Sequence, residues 1–179
     1  ADQAIRFVRR EYLRKGAAID LADYVTRQDV IDTAYHQIAI IGVDGWLVQS
    51  SLPGPTMDLS DREHFRVHRD GRGDRLFVSK PVFGRVSKKW SLQLTRRIEG
   101  ADGRFLGVVV LSLSPDYLTR YYADIDVGHE GVVVLAGRDG VIRARQSGTQ
   151  SAGGQDISGG AVFLAAQRLS SGSLWSNSP

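Results

Sequence analysis

Apolar and polar positions alternate along this chain with two distinct periods. Ile5, Val8 and Tyr12 recur on one stripe while Arg6, Arg9, Arg10 and Arg14 fall mostly off it, which predicts a helix. That helix is expected over residues 2–33, with a break or kink at Gly16 and an apolar face resumed by Leu21, Tyr24 and Val25. From Ile38 the period shortens to that of strands. Ile38-Ala39-Ile40-Ile41 runs through Asp44-Gly45 into Trp46-Leu47-Val48, the pattern of a hairpin with Asp-Gly at its turn. Strands are predicted again over 76–83, 90–98 and 105–113, the last pair joined at Asp102-Gly103. Pro115 then opens a helix carrying Tyr117, Leu118, Tyr121 and Tyr122. Hairpin connections imply an antiparallel sheet with helices packed on it, an α+β module. His36, just before the first strand, is expected at the surface.

Between the strands lies Asp58-Leu59-Ser60-Asp61-Arg62-Glu63-His64-Phe65-Arg66-Val67-His68-Arg69. Ser60 followed by Glu63 has the spacing of a capping box, and Gly71 with Gly73 stops the helix after a few turns. Phe65 is the expected anchor. Arg62, His64, Arg66 and His68 are more cation and imidazole than a short packing helix needs, so this helix is expected to wall a binding pocket.

A repeat is visible downstream. The segment Ile38 to Gly45 is echoed by Val132 to Gly140, and Asp58-Leu59-Ser60 by Asp156-Ile157-Ser158. A second copy of the module therefore begins near Asp126. It has 54 residues to Pro179, against 85 from Ile38 to Tyr122 in the first, so it is partial. The expected division is 1–125 and 126–179, with the Gly/Ser-rich stretch from Ser147 to Gly160 as a mobile loop.

Charge sharpens this picture. The net charge of +3 over 179 residues is modest. Between Arg62 and Arg104, however, 12 Lys/Arg stand against 5 Asp/Glu, an excess of +7 that attracts an anion. With no cysteine, disulfides and thiolate metal sites are excluded. His64 and His68 have the spacing of two metal ligands on a helix, but no third ligand accompanies them, and no metal or cofactor is expected. No Gly-x-Ser-x-Gly elbow or phosphate loop supports an enzyme. The cations alternate with strand core positions without an aromatic RNA-binding signature, so no nucleic-acid partner is expected. The only methionine is Met57, and the chain reads as a fragment of something longer.

The order of a long helix, an Asp-Gly hairpin, the Asp-Leu-Ser-Asp-Arg-Glu-His-Phe helix and Gly107-Val-Val-Val-Leu-Ser-Leu-Ser-Pro-Asp-Tyr117 resembles the double Cache family, the extracytoplasmic PAS-like sensor domains of bacterial receptors. The wording around 61–68, 85–97 and 107–117 looks most like sensors attached to diguanylate cyclases and histidine kinases. The resemblance implies a periplasmic, ligand-sensing domain of a membrane-anchored parent, with a long N-terminal helix packed on an antiparallel PAS-like sheet and homodimerisation possible. In the amino-acid-binding branch the same helix carries Arg-x-Trp-Tyr, whose arginine holds the ligand carboxylate. Arg62 stands at that arginine, His64 at the tryptophan and Phe65 at the tyrosine. That branch holds the ligand amine with an aspartate at the end of the Gly-Val-Val strand, and dicarboxylate-binding relatives have a lysine near there; this chain has Ser112. The resulting expectation is a small anionic ligand, a carboxylate, bound by Arg62, His64, Arg66, Lys80, Arg85, Trp90 and Ser112. For Arg62 the alternative is a surface ion pair with Asp58 or Glu63, and for Trp90 a place in the core, the preferred one. For the whole domain the alternative is a dimerisation scaffold that binds no small molecule.

Overall fold

The structure, a computed structural model, describes residues 1–27, 34–123, 128, 131–147, 150–169 and 171–173. It divides into two compact units, Ala1–Tyr117 and Leu118–Pro179.

The first unit opens with α1 (Asp2–Lys15), which ends as expected at Gly16, where φ is +60°. A 3-10 turn (Gly16–Ala18) leads to α2 (Leu21–Arg27). Residues 28–33, the end of the expected helix, lie outside the described residues. β1 (Tyr35–Gly42), β2 (Leu47–Ser50), β3 (Phe77–Phe83), β4 (Trp90–Glu99) and β5 (Phe105–Leu113) form one sheet in the order β2-β1-β5-β4-β3. Every pairing is antiparallel, as the hairpin signals predict. α3 (Glu63–Arg69) lies between β2 and β3, and α4 (Pro115–Ala123) follows β5. His36 is half-buried rather than at the surface.

The sheet has two different faces because side chains alternate along each strand. Arg96 meets Asp2 of α1, whereas its neighbours Thr95 and Arg97 meet His68 of α3, so the two helices cover opposite faces. On the α3 face Ala39, Ile41, Leu47, Leu59, Phe65, Val108 and Val110 form a core cluster, and Phe65, 1% exposed, stands edge-on to Phe105. Phe65 is thus the anchor that the sequence predicts. Arg97 donates to the carbonyls of His68 and Gly71, satisfying the end of α3.

The capping box does not form. α3 starts at Glu63 with Arg62 as its N-cap residue, and no side chain caps it. Ser60 lies before the helix in a turn closed by Asp58, whose Oδ1 accepts the Ser60 amide at 2.8 Å. The short Asp58 side chain captures that amide locally, and the helix begins two residues later than the sequence spacing implies. The Cβ of Ser60 packs on Gly45: a Cβ added there at φ +88° would stand 2.4 Å away.

In the second unit β6 (Val132–Ala136), β7 (Ile142–Ser147) and β8 (Gln150–Ala152) form a second antiparallel sheet, followed by α5 (Ala161–Ala166). The repeat is structural. The Leu59 amide reaches the Gly45 carbonyl at 2.8 Å, and the Ile157 amide reaches that of Gly140 at 2.8 Å. Asp156 accepts the Ser158 amide at 2.8 Å as Asp58 accepts that of Ser60, and Gly140 packs on Ser158 as Gly45 does on Ser60. The stretch 147–160, expected as one loop, instead contains β8 and this turn.

Candidate functional site

α3 and the α3-facing side of the sheet enclose a small, half-open cleft of about 30 Å³. The floor is apolar: Ala39, Ile41, Leu47, Leu59, Val86 and Val110 line it. Four of the seven expected site residues line it too, namely Arg62, His64, Arg85 and Ser112. Arg66 and Lys80 are exposed and are not among the lining residues. Trp90 is 61% exposed against Phe83, so its preferred assignment to the core is wrong: the β3–β4 connection places it at the start of β4, beyond the covered part of the sheet.

Arg62 is half-buried, and its Nη2 donates to the Phe83 carbonyl at 2.7 Å. It makes no ion pair with Asp58 or Glu63; among the described residues no carboxylate lies at ion-pair distance from it. Burial and then the neighbouring Arg85 charge push its pKa down, an environment that an anion would relieve. Arg85 is held differently. It forms a two-point ion pair with Asp61 at 2.7 and 2.6 Å and donates to the Asp58 carbonyl at 2.9 Å. The loop carrying Phe83 to Val86 is thereby fastened over the approach to α3. The pair neutralises Arg85 from one side, and Arg62 retains the free charge.

His64, 5% exposed, is neutral: burial, then the Arg62 and His68 charges, push its pKa down to about 3. Its ring meets no hydrogen-bonding group among the described residues. His68 is equally buried but turned to Thr95, with Nε2 and Oγ1 2.8 Å apart. Burial brings its pKa down to about 4. Among the described residues no three His, Asp or Glu side chains gather as metal ligands would.

Two residues that the sequence reading missed, Gln37 and Gln93, complete the wall. Register pairs Gln37 with Ser112 and Gln93 with Ser112, so the three stand side by side across β1, β5 and β4. Ser112 Oγ donates to Gln93 Oε1 at 2.8 Å, and Gln37 Nε2 donates to Ser50 Oγ at 2.8 Å. Gln93 stands between Leu92 and Leu94 and Gln37 just before the apolar run Ile38 to Ile41, a signal present in the sequence, but only the register brings the three together. Among the described residues no Asp or Glu lines the cleft. Much of the basic excess of the middle segment is used elsewhere: Arg96 pairs with Asp2 and Asp74, Arg97 with Glu99, and Arg69 with Asp70.

Neither a family model nor a curated protein sequence matches the chain. Solved structures do. The extracellular domain of rpHK1S-Z16, assigned as a histidine kinase, is 25% identical, with TM-score 0.69, over 93% of this chain and 78% of that one. This chain has the fold of a Cache-type sensor domain. The ligand-binding domain of the Pseudomonas fluorescens chemoreceptor CtaA, solved with L-serine, shares that fold at 14% identity and TM-score 0.60, over 78% of this chain and 60% of its own. That of the Pseudomonas aeruginosa amino-acid chemoreceptor PctB, solved with L-Arg, matches at 17% identity and TM-score 0.58, over 77% of this chain and 58% of its own. The chain thus spans less than two thirds of the chemoreceptor domains. Among the described residues, no helix of this Cache fold is long and apolar enough to cross a membrane.

Proposed function

We propose that the chain is the extracytoplasmic sensor domain of a membrane-anchored bacterial signalling protein, and that its ligand is a small carboxylate held in the α3 cleft. The observation that carries this reading is Arg62: a half-buried guanidinium without an acidic partner, lining a cleft that holds a second arginine and no carboxylate. A planar guanidinium suits a carboxylate in two-point contact. The ammonium of an amino acid would enter the same cleft without an anionic partner, and a buried unpaired charge is strongly unfavourable. The histidine-kinase and chemoreceptor neighbours support the sensory role. Binding acts by favouring one of two pre-existing conformations, which the rest of the parent protein reads out, with residues 126–179 as a partial relay module. No catalysis is involved.

A thermal-shift screen of carboxylates, amino acids, amines and sugars tests the proposal. A ligand at about 100 times its dissociation constant adds about 2.7 kcal/mol of stability, a shift of several degrees. Carboxylates are expected to give it, and Arg62→Ala to abolish it. Stabilisation by amines or amino acids alone, or normal binding by Arg62→Ala, overturns the reading.

A further inference from the structure

Burying amide and hydroxyl groups costs free energy unless each finds a partner. Yet three polar side chains of this sheet, Gln37 at 6% exposure, Gln93 at 4% and Ser112 at 3%, are buried in line on the face that lines the cleft. Their mutual bonds leave capacity unused. Gln93 is engaged at both ends, its Oε1 by Ser112 and its Nε2 by Ser91 Oγ at 2.8 Å, and its backbone amide donates to Ser79. Gln37 is engaged at one end only: Nε2 reaches Ser50, while Oε1 accepts nothing among the described residues. That oxygen is also not sealed from solvent without a partner; among the described residues Ser87 Oγ alone is in that state. The free end of Gln37 therefore opens toward the cleft that its side chain lines. The His64 imidazole, without a protein partner, lines the same space. All these groups are neutral.

We propose that Gln37, Gln93 and Ser112 form the specificity wall of this cleft and select a hydroxylated carboxylic acid over both the unsubstituted acid and the amino acid. This rests on the carboxylate reading above. A hydroxyl suits the wall because it donates and accepts. It can give its proton to the open amide oxygen of Gln37 or to Ser112 Oγ, and take one from His64. An unsubstituted chain leaves the amide end desolvated and unpaired, and an ammonium meets no charge of opposite sign. Sites built to bond a ligand hydroxyl discriminate strongly against analogues that lack it.

The test uses the purified chain and calorimetric titration with butyrate, 2-hydroxybutyrate, 3-hydroxybutyrate and 2-aminobutyrate, which differ in one substituent. One of the two hydroxy acids should bind at least about tenfold more tightly than butyrate, with the amino acid weakest. Gln37→Leu and, as the smaller change, Ser112→Ala should remove that preference, and an unchanged circular dichroism spectrum and cooperative thermal unfolding report that the variants are folded. Equal affinity for butyrate and both hydroxy acids in the wild type, tightest binding of 2-aminobutyrate, or an unchanged preference in both variants overturns the specificity wall. The first and third of these results leave the carboxylate reading standing. If all the acids are silent, or bind Arg62→Ala as they bind the wild type, the carboxylate reading falls and the wall with it.

Discussion

Protonation separates the two α3 histidines from the arginines around them. Both rings are buried and neutral, with pKa values brought from 6.5 to about 3 at His64 and about 4 at His68, chiefly by burial. The unfolded chain therefore binds protons below pH 6.5 that the folded chain refuses. Stability is complete above that value and falls with pH until the folded rings titrate, at about 1.4 kcal/mol per pH unit for each ring. Half-buried His36, also shifted down by burial, adds in the same direction. The acid groups do not share this window. Asp2 is brought down to about 2, first by its hydrogen bond from Arg96, so its contribution is lost only at lower pH, below the ordinary carboxylate range. The melting temperature should drop between pH 7 and pH 5, and His64→Gln with His68→Gln should flatten the profile. A flat wild-type profile would show that the rings are not held neutral. Ser60 gives a second residue-scale expectation. Because it caps no helix, Ser60→Ala should cost less than about 0.5 kcal/mol, whereas an N-cap loss costs about 1. Urea titration separates the two.

At the scale of elements, α1 is fastened to the sheet by Arg96. Its side chain is 6% exposed and meets Asp2 of α1 at 2.5 Å and Asp74 of the α3–β3 connection at 2.7 Å. Arg9 of α1 joins the same carboxylate at 2.7 Å. Either acid alone compensates the buried guanidinium, but removing both strands it. Asp2→Ala and Asp74→Ala should each be mild, and the double variant should lose about 3–5 kcal/mol, more than their sum. Additive behaviour in a double-mutant cycle would rule out the shared role. The Asp-Gly turns carry the next prediction. Gly45 and Gly140 hold φ of +88° and +76° and pack on Ser60 and Ser158. Gly45→Ala should cost about 1–3 kcal/mol through backbone strain and contact with Ser60, and should weaken ligand binding through the displaced approach to α3. A variant as stable as the wild type would refute the close approach.

At the scale of the molecule, the apolar core is unevenly divided. Of the buried hydrophobic residues only Val141, Ile142 and Ala144 belong to the second unit, among the described residues. Each buried aliphatic side chain contributes about 1.5–3 kcal/mol, so the second sheet has far less to hold it. Hydrogen exchange should be slowest at the amides of β1, β4 and β5, and faster throughout β6 to β8. Uniform protection of both sheets would contradict this.

The sequence by itself determined the fold class and most of the elements. Alternation and Asp-Gly turns marked β1, β4 and β5, the repeat announced the second sheet, and the cluster on α3 pointed to Arg62 and His64. These are local signals, set by period and by backbone conformations that few residues tolerate. It misjudged Ser60, because an aspartate two residues earlier competed for the same amide. It misplaced Trp90, Arg66 and Lys80, because residue type does not say which part of a sheet is covered or which side of a helix faces it. Strand alternation puts Arg96 and Arg97 on opposite faces, and only the tertiary structure decided that they meet α1 and α3 there. It alone aligned Gln37, Ser112 and Gln93, which are far apart in the chain. Their register depends on the packing of both faces at once, and that packing gives Arg62 a cleft with no acid in its lining.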